Sequence, residues 1–149
     1  MSEHRASIAW QRETEDFKVE TYRREHRWRF PGGFEVSASA APDYQGDPAC
    51  VNPEEAFVAS LASCHMLTFL AIAAGRRFVV DRYEDDAVGT LAKNEDGRLA
   101  ITRVELRPRI AFGGEKTPSA EALEKMHERA HRACFIANSV RTEVRVESA

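Results

Sequence analysis

The sequence has little of what would assign a chain to a functional class at first sight. Its net charge is only −3, and neither an internal repeat nor a low-complexity segment interrupts its 149 residues. So small a charge implies no strong attraction to nucleic acid or to a membrane surface. A secretory signal has a basic segment followed by an apolar one, and the first residues do not show this pattern. We therefore expect a cytoplasmic protein.

Cysteine is also scarce, with only Cys50, Cys64 and Cys134 in the chain. In a reducing compartment, so few thiols are more often reactive, buried or metal-bound than paired as structural disulfides. The count therefore argues against a fold stapled by disulfides, and it makes each thiol a candidate for chemistry.

The stretch from Asn52 to Gly75 carries the signals of both ends of a helix. Asn52 can accept hydrogen bonds from the first turn, and the proline after it suits the first helical position. Glu55 stands at the spacing of a capping box, three residues after Asn52. Gly75 can take the left-handed conformation that closes a helix. The pattern predicts a central helix over these residues.

Beyond Glu55 this helix is apolar or small on every face, which is typical of a buried helix or of a membrane span. Against the membrane alternative, Cys64, His65 and three hydroxyl residues fall inside the stretch, and no second span exists. A protonatable histidine near the centre of a lone span would be costly. The sequence favours a buried central helix with a thiol at its middle.

The other elements follow from hydrophobic periodicity. A second helix begins with the cap Thr117 and Pro118 and extends to Cys134, with a further turn at residues 135–139. Alternating apolar and polar residues predict strands at residues 6–10, 17–22, 26–30, 34–38, 78–80, 83–91, 99–110 and 140–146. This order predicts an α+β fold with largely antiparallel sheet, in a single domain over residues 1–149.

Cys64 and Cys134 are the first candidates for chemistry. Either one alone is most simply interpreted as a small buried hydrophobic residue. Two such cysteines on separate helices favour a functional interpretation, because they could form a disulfide if their Cα atoms lie within about 7 Å. One thiolate would then attack a substrate and the other would resolve the product. Sequence spacing does not show whether they meet.

A metal site is the rival interpretation of the same residues. His65 follows Cys64, and His131 precedes Cys134 by three residues, so four ligands can be counted. Adjacent residues point about 100° apart on a helix, which makes joint ligation awkward. His127 and His131 lack the glutamate-containing motif of zinc peptidases. We therefore predict no metal.

Glu54 is the next candidate. One acid in the first turn satisfies the helix dipole, and Glu54 and Glu55 together leave one spare. Cys64 is ten residues further on, about 15 Å along a helix, so Glu54 cannot easily reach Cys64 of the same chain. If the two cooperate, the glutamate comes from a second copy of the chain. Cys50 looks incidental and partly exposed.

These residues resemble the OsmC/Ohr family, which comprises osmotically induced protein C and the organic hydroperoxide resistance proteins. The resemblance rests on the helix start Asn52–Glu55, on Cys64 ten residues after Glu54, and on Cys134 near the end of a later helix. The segment 64–70 is most similar to a branch known simply as OsmC-like. The order of elements agrees over nearly the whole chain.

The resemblance implies an intertwined α+β homodimer with two sites at its interface. It implies reduction of hydroperoxides, organic ones preferentially, without haem, flavin or metal. Cys64 matches the peroxidatic cysteine and Cys134 the resolving cysteine, while Glu54 matches the glutamate that holds an arginine. The reductant would be an external dithiol, which is a lipoyl-protein in the Ohr branch.

The arginine is where this sequence departs from the family. The loop before the central helix, residues 41–51, contains no arginine. Arg24, Arg27 and Arg29 remain, and we favour Arg24 because it stands close to His26. For Arg24 or His26 alone, the simpler interpretation is a solvated strand face. Positive charge from Arg24, or from His26 or His65, would lower the pKa of the Cys64 thiol.

Two other functions stay open from the sequence. A dimeric module could bind a small apolar ligand between its subunits and sense redox state through its thiols. A hydrolase could use Cys64 as its nucleophile, but it would need a positioned histidine and an oxyanion hole, and no diagnostic motif is present.

Overall fold

The computed structural model describes residues 1–147 and has two compact units, Met1–Ala56 and Phe57–Ala149. The single domain predicted over residues 1–149 includes two residues outside this description and stays a prediction. The strands are β1 Ser7–Ala9, β2 His26–Arg29, β3 Glu35–Ala38, β4 Val79–Asp85, β5 Val88–Lys93, β6 Leu99–Leu106, β7 Pro108–Gly113 and β8 Glu143–Val146; the helices are α1 Pro53–Gly75 and α2 Ala120–Ala133.

The first unit contains the antiparallel sheet β1–β2–β3. Ile8 faces Trp28, which in turn faces Val36, so apolar side chains share one face as the alternation predicts. The strand predicted at residues 17–22 is wrong. The chain turns there instead, because the backbone N–H of Tyr22 donates to Lys18.

An aromatic cluster explains why residues 17–22 imitate a strand. The Phe17 and Tyr22 rings lie 5.3 Å apart, and Trp10 packs against both at 5.8 and 6.4 Å. Offset and edge contacts of this kind stabilise a loop as they would a sheet face. The alternating apolar residues therefore serve this cluster rather than a strand.

The start of α1 follows the prediction. The side-chain oxygen of Asn52 accepts from the backbone N–H of Glu55 at 2.8 Å, and the Glu55 carboxylate accepts from the backbone N–H of Asn52 at 3.2 Å. This reciprocal pair is a capping box. The end of α1 differs slightly, because the left-handed residue is Arg77, with φ of 64°, and not Gly75.

The second unit places α1 and α2 against two sheets. The strand β4 pairs with β7, while β5, β6 and β8 form the other sheet. All pairs are antiparallel except β8, which is parallel to β6. The α+β fold with largely antiparallel sheet is therefore confirmed.

Three boundaries in this unit were predicted incorrectly. The long strand at residues 99–110 is two strands, because the chain breaks at Arg107 and each half joins a different sheet. The break predicted between residues 80 and 83 is absent, because β4 continues through it to Asp85. The actual break lies at Asp86 and Ala87, inside the strand predicted at 83–91, and β5 begins after it. The α2 cap is Ser119, whose hydroxyl accepts from the N–H of Ala122 at 3.1 Å, and not Thr117.

Two apolar clusters hold α1 in place. Near its first half, Leu61 packs with Val104 and Leu106 of β6. Near its second half, Phe69 and Ala73 pack with Met126 and Ala130 of α2. The buried positions on α1 recur every four residues, which is one face of the helix.

Close approach of α1 to the sheet depends on a glycine in β5. A Cβ placed on Gly89 would lie 2.5 Å from the Cγ2 atom of Val58. Only a residue without a side chain lets the two elements meet at this distance.

The opposite face of α1 is open, so the expectation of burial on all sides is wrong for a single chain. Ala59, Ser63 and Ala71 on this face are exposed, and Leu67 is 60% exposed. By length and composition α1 is the one helix of the described residues that is apolar enough to cross a membrane. One face of this helix packs against both apolar clusters of the second unit.

Candidate thiol site

Cys64 and Cys134 meet within the second unit. Cys64 lies at the middle of α1 and is half-buried, whereas Cys134 is the C-cap of α2 and is 1% exposed. Both are free thiols, and they lie close enough for one to hydrogen-bond to the other. The structure thus brings together two thiols that are seventy residues apart in the sequence.

The environment of Cys64 favours its thiolate. Burial alone would raise the pKa of Cys64, but hydrogen bonds from the Cys134 thiol and from the backbone N–H groups of Ile136 and Phe135 outweigh it and lower that pKa. The Thr68 hydroxyl, which also lies near the sulfur, donates to the Cys64 carbonyl oxygen at 2.8 Å. The thiol and the two backbone amides are therefore the donors that stabilise the charge.

These amides belong to the turn that follows α2. The chain passes from Cys134 into a short 3-10 helix at Ala137–Ser139, and the N–H of Ala137 donates to the Cys134 sulfur at 3.4 Å. Successive backbone N–H groups of this kind form a concave site for negative charge. The turn serves both sulfur atoms with backbone donors.

Cys134 has the opposite acidity. Burial, and then its hydrogen bond to Cys64, raise the pKa of the Cys134 thiol. When the pair loses one proton, that proton therefore comes from Cys64 and the other stays on Cys134. The two thiols are chemically unequal, with Cys64 the more reactive nucleophile.

His65 does not supply positive charge to Cys64. Its ring is 1% exposed, and its Nε2 atom lies 3.0 Å from Nδ1 of His127 in a hydrogen bond. Burial lowers the pKa of both His65 and His127 to about 4. Both rings are therefore neutral near pH 7, and the sequence-based suggestion that His65 activates Cys64 is wrong.

In the first unit, Arg24 on the loop that enters β2 lies next to His26, the first residue of that strand. The Arg24 guanidinium donates to the backbone oxygens of Val19, at 2.7 Å, and Tyr22, and it stacks 3.6 Å above the centre of the Tyr22 ring. His26 accepts from the Trp28 indole N–H at 3.0 Å and contacts the Arg24 carbonyl oxygen at 2.7 Å. We assign the His26 proton to Nδ1, because Nε2 is the acceptor.

Arg24 is the one of the three candidate arginines without an acidic partner. Arg27 and Arg29 both pair with Glu35, at 3.5 and 2.5 Å. Within residues 1–147, Arg24 forms no ion pair with any carboxylate, including that of Glu54, which also belongs to the first unit. Its contacts to neutral carbonyl oxygens leave its charge uncompensated.

Glu54 lies in the first turn of α1 and is half-buried. Its neighbour Glu55 takes the capping role, as described above. The first turn therefore has a spare carboxylate at Glu54, as the sequence indicated. Within the described residues Glu54 makes no side-chain hydrogen bond or ion pair. Cys50 is half-buried in the loop before α1, in agreement with the expectation that it is partly exposed.

Two features of the site escaped the sequence analysis. The backbone donors of Phe135 and Ile136 carry no side-chain signal, and only the short turn after α2 indicated that the chain bends there. The pairing of His65 with His127 was also missed, because these residues are 62 positions apart. Within the part of the chain that is described, no three metal-ligating side chains are grouped as a metal centre requires.

The geometry defines a class, namely an α+β protein with two adjacent free thiols of unequal acidity. A profile described as OsmC-like protein matches residues 46–149 of the chain. Along the entire length of both chains, the sequence is 50% identical to an OsmC-like protein of unknown function from Vibrio cholerae, with a TM-score of 0.97. The chain therefore belongs to the OsmC-like family.

Two more distant solved structures share the fold. One is an organic hydroperoxide resistance protein OsmC from Legionella pneumophila, at 16% identity and TM-score 0.72 over 99% of this chain and 96% of that one. The other is the organic hydroperoxide resistance protein OhrB of Bacillus subtilis, at 19% identity and TM-score 0.70 over 99% and 98%. No curated protein matches the chain.

Proposed function

We propose that the protein is a thiol-dependent peroxidase that reduces organic hydroperoxides. The carrying observation is the pair of adjacent thiols in which Cys64 is the more acidic. Relatives with the same fold are named organic hydroperoxide resistance proteins, which supports this choice of substrate.

The chemistry begins at Cys64. Its thiolate attacks the distal oxygen of the hydroperoxide, the O–O bond breaks, and the alkoxide leaves as the alcohol after taking up a proton. Cys64 is thereby oxidised to a sulfenic acid. The Cys134 sulfur, after losing its proton, attacks the Cys64 sulfur, and hydroxide leaves as water with that proton. A disulfide joins the two residues.

An external dithiol completes the cycle by thiol–disulfide exchange, in which it is oxidised and both cysteines regain their thiols. We propose no metal, haem or flavin, and a lipoyl-protein as one reductant of the required chemistry. The proposed setting is the cytoplasm, where thiols are kept reduced.

We propose that Glu54 and Arg24 complete the site from a second copy of the chain. Glu54 is ten residues from Cys64 on α1, about 15 Å along the helix axis, and its carboxylate is free to hold a guanidinium. Arg24 carries an uncompensated charge that would stabilise the thiolate. These roles rest on the family resemblance and on the absence of competing ion pairs within residues 1–147.

The open face of α1 supports the proposed homodimer. Leu67 at its centre is 60% exposed, and the small residues Ser63 and Ala71 lie one turn away on either side of it, so another copy can approach closely. Exposed apolar surface of this kind marks an interaction site. A two-fold dimer would pair this face with itself.

The test is turnover of cumene hydroperoxide with excess dithiothreitol. The wild-type protein should consume peroxide catalytically, and Cys64→Ser should abolish consumption. Cys50→Ser is the matched control and should retain full turnover. Equal rates for the wild-type protein and Cys64→Ser would exclude the mechanism. Oxidant-dependent ligand binding without consumption of peroxide would support a redox-sensing module instead.

A further inference from the structure

A second concave surface lies in the second unit, between the end of α1 and the outer side of α2. Its volume is about 410 Å³, within the range of small-molecule sites. We name it the basic cleft, and it is lined by Ile72, Arg76, Lys125, Met126, Glu128, Arg129 and Arg132. None of these residues takes part in the thiol chemistry described above.

The charge of the cleft is strongly unbalanced. Four cationic side chains line it against the single carboxylate of Glu128. Lys125 is paired with Glu121 at 2.9 Å, but within residues 1–147 no ion pair involves Arg76, Arg129 or Arg132. Although the net charge of the chain is −3, the basic cleft thus contains several guanidinium groups without an acidic partner.

Three of these exposed cations lie on α2, and the fourth, Arg76, follows the end of α1. Lys125, Arg129 and Arg132 follow one another at i, i+4 and i+7 on α2, so they form one stripe along its surface. From the other wall, Arg76 lies 5.4 Å above the Phe78 ring, and its carbonyl oxygen accepts from Lys116 at 3.2 Å. The two walls therefore present like charge to the same space, where an anion would be attracted by both walls.

The floor of the cleft is apolar. Met126 is 1% exposed and belongs to the core cluster of Phe69 and Ala73, and Ile72 packs against the same cluster. Ile72, which is half-buried, offers the apolar surface that a ligand can cover, and a fully hydrated ion such as inorganic phosphate would leave that surface in contact with water. A ligand with an anionic head and an apolar body would satisfy both surfaces.

We propose that the basic cleft binds an amphiphilic organic anion, with its carboxylate or phosphate head between Arg76 and Arg129 and its apolar body over Ile72. Guanidinium groups bind both kinds of head in a bidentate manner. The bound ligand would join α1 to α2, the two elements that carry Cys64 and Cys134, and would stabilise the folded unit by mass action.

Isothermal titration calorimetry with three probes tests the proposal on the whole protein. Sodium decanoate supplies the carboxylate and tail, decyl phosphate tests the other head, and decanol supplies the tail alone. Saturable binding of decanoate or decyl phosphate, with binding of decanol at least ten-fold weaker, is the expected result. Which anion binds more tightly identifies the head group. Equal affinity for decanol would overturn the role of the arginines.

Matched variants locate the site. Arg129→Gln and Arg76→Gln should each weaken binding by roughly ten-fold, the effect of losing one charge-assisted hydrogen bond. Arg98→Gln removes an exposed arginine elsewhere in the same unit and should leave the affinity unchanged. An equal loss in all three variants would indicate a non-specific charge effect and would contradict the proposal.

Two further arms separate this site from its alternatives. Cys64→Ser should bind decanoate as the wild-type protein does, so the proposal stands or fails independently of the peroxidase mechanism. A ten-residue polyglutamate peptide has charge without an apolar body and should bind more weakly than decanoate. Tighter binding of that peptide would overturn the proposal in favour of an acidic protein partner.

Discussion

Two thiols of the same intrinsic chemistry acquire different acidities because Cys134 donates a hydrogen bond to Cys64 and nearby backbone amides add to it. The sulfur of Cys64 receives hydrogen bonds from the turn after α2, whereas burial dominates at Cys134. Backbone amides donate hydrogen bonds without requiring any particular side chain. Cys64 thus has a source of activation within its own unit, to which the proposed Arg24 of a partner subunit would add.

The first prediction concerns the hydrogen bond from Cys134. Cys134→Ala removes a donor to the Cys64 thiolate and should raise the pKa of Cys64, since a hydrogen bond to a charged group is worth about 1.5 kcal/mol or more. The pH dependence of iodoacetamide alkylation of Cys64, followed by mass spectrometry, measures this shift.

Cys134→Ser is the matched control for that measurement. Its hydroxyl can still donate a hydrogen bond to Cys64, so its alkylation profile should lie between those of the wild-type protein and Cys134→Ala. Superimposable profiles for all three proteins would show that the Cys134 thiol does not influence Cys64.

The second prediction concerns the neutral histidine pair. His65 and His127 have pKa values of about 4 in the folded protein and about 6.5 when unfolded. The unfolded chain therefore binds more protons between these values, and the stability from this pair, complete above pH 6.5, falls as the pH falls towards 4. Urea unfolding should show a free energy of unfolding lower by a few kcal/mol at pH 4.5 than at pH 7.

The double variant His65→Leu/His127→Leu isolates this effect. It removes both titrating groups, so its stability should change less between pH 7 and 4.5, whatever its absolute stability. His4→Gln, at an exposed histidine, should keep the wild-type pH dependence. An unchanged slope in the double variant would assign the acid sensitivity to other groups.

At the scale of elements, α1 positions the thiol and its start is fixed by a capping box. Asn52→Ala removes the acceptor for the Glu55 N–H and should lower the free energy of unfolding by about 1 kcal/mol. Asn52→Ser keeps an acceptor oxygen, so its free energy of unfolding should fall by only a fraction of that amount. Urea denaturation of the two variants measures the difference, and equal losses would mean that packing of Asn52, and not its cap, carries the effect.

The sequence predicts elements best where local chemistry determines them. The α1 start was predicted because Asn52 and Glu55 interact with their own helix. The break at Arg107 was not predicted, because the alternating pattern continues across it. The chain divides there because β6 pairs with β5 whereas β7 pairs with β4. The strand predicted at 17–22 failed for a similar reason, since a cluster with Trp10 uses the same apolar residues.

The thiol site shows the same limit. Cys64 and Cys134 were named as candidates from their positions on two helices, but only the fold shows that they meet. The acidity of Cys64 depends on the Cys134 thiol and on the backbone N–H groups of Ile136 and Phe135, which only the folded chain brings to its sulfur. The pairing of His65 with His127 likewise depends on tertiary packing that periodicity does not reveal.

At the scale of the whole molecule, the open face of α1 should bind a second copy. Leu67→Glu places a charge at its centre and should weaken dimerisation roughly a hundred-fold, since burying an unpaired charge costs several kcal/mol. Sedimentation velocity over a range of concentrations measures the change. Leu99→Glu is the matched control, because Leu99 is also 60% exposed but lies on β6.

A dimer that persists in Leu67→Glu would place the interface elsewhere. A monomeric wild-type protein would contradict the proposed completion of the site by Glu54 and Arg24 of a partner subunit. The chemistry of Cys64 and Cys134 would then stand without that contribution, because both thiols belong to one chain.

The most direct test of the account is a single oxidation of the reduced protein with one equivalent of cumene hydroperoxide. Mass spectrometry of the intact chain and of its peptides should show the loss of two hydrogens, a disulfide between Cys64 and Cys134, and a free Cys50 thiol. A chain that keeps all its thiols reduced, or that links Cys50 instead, would contradict the account.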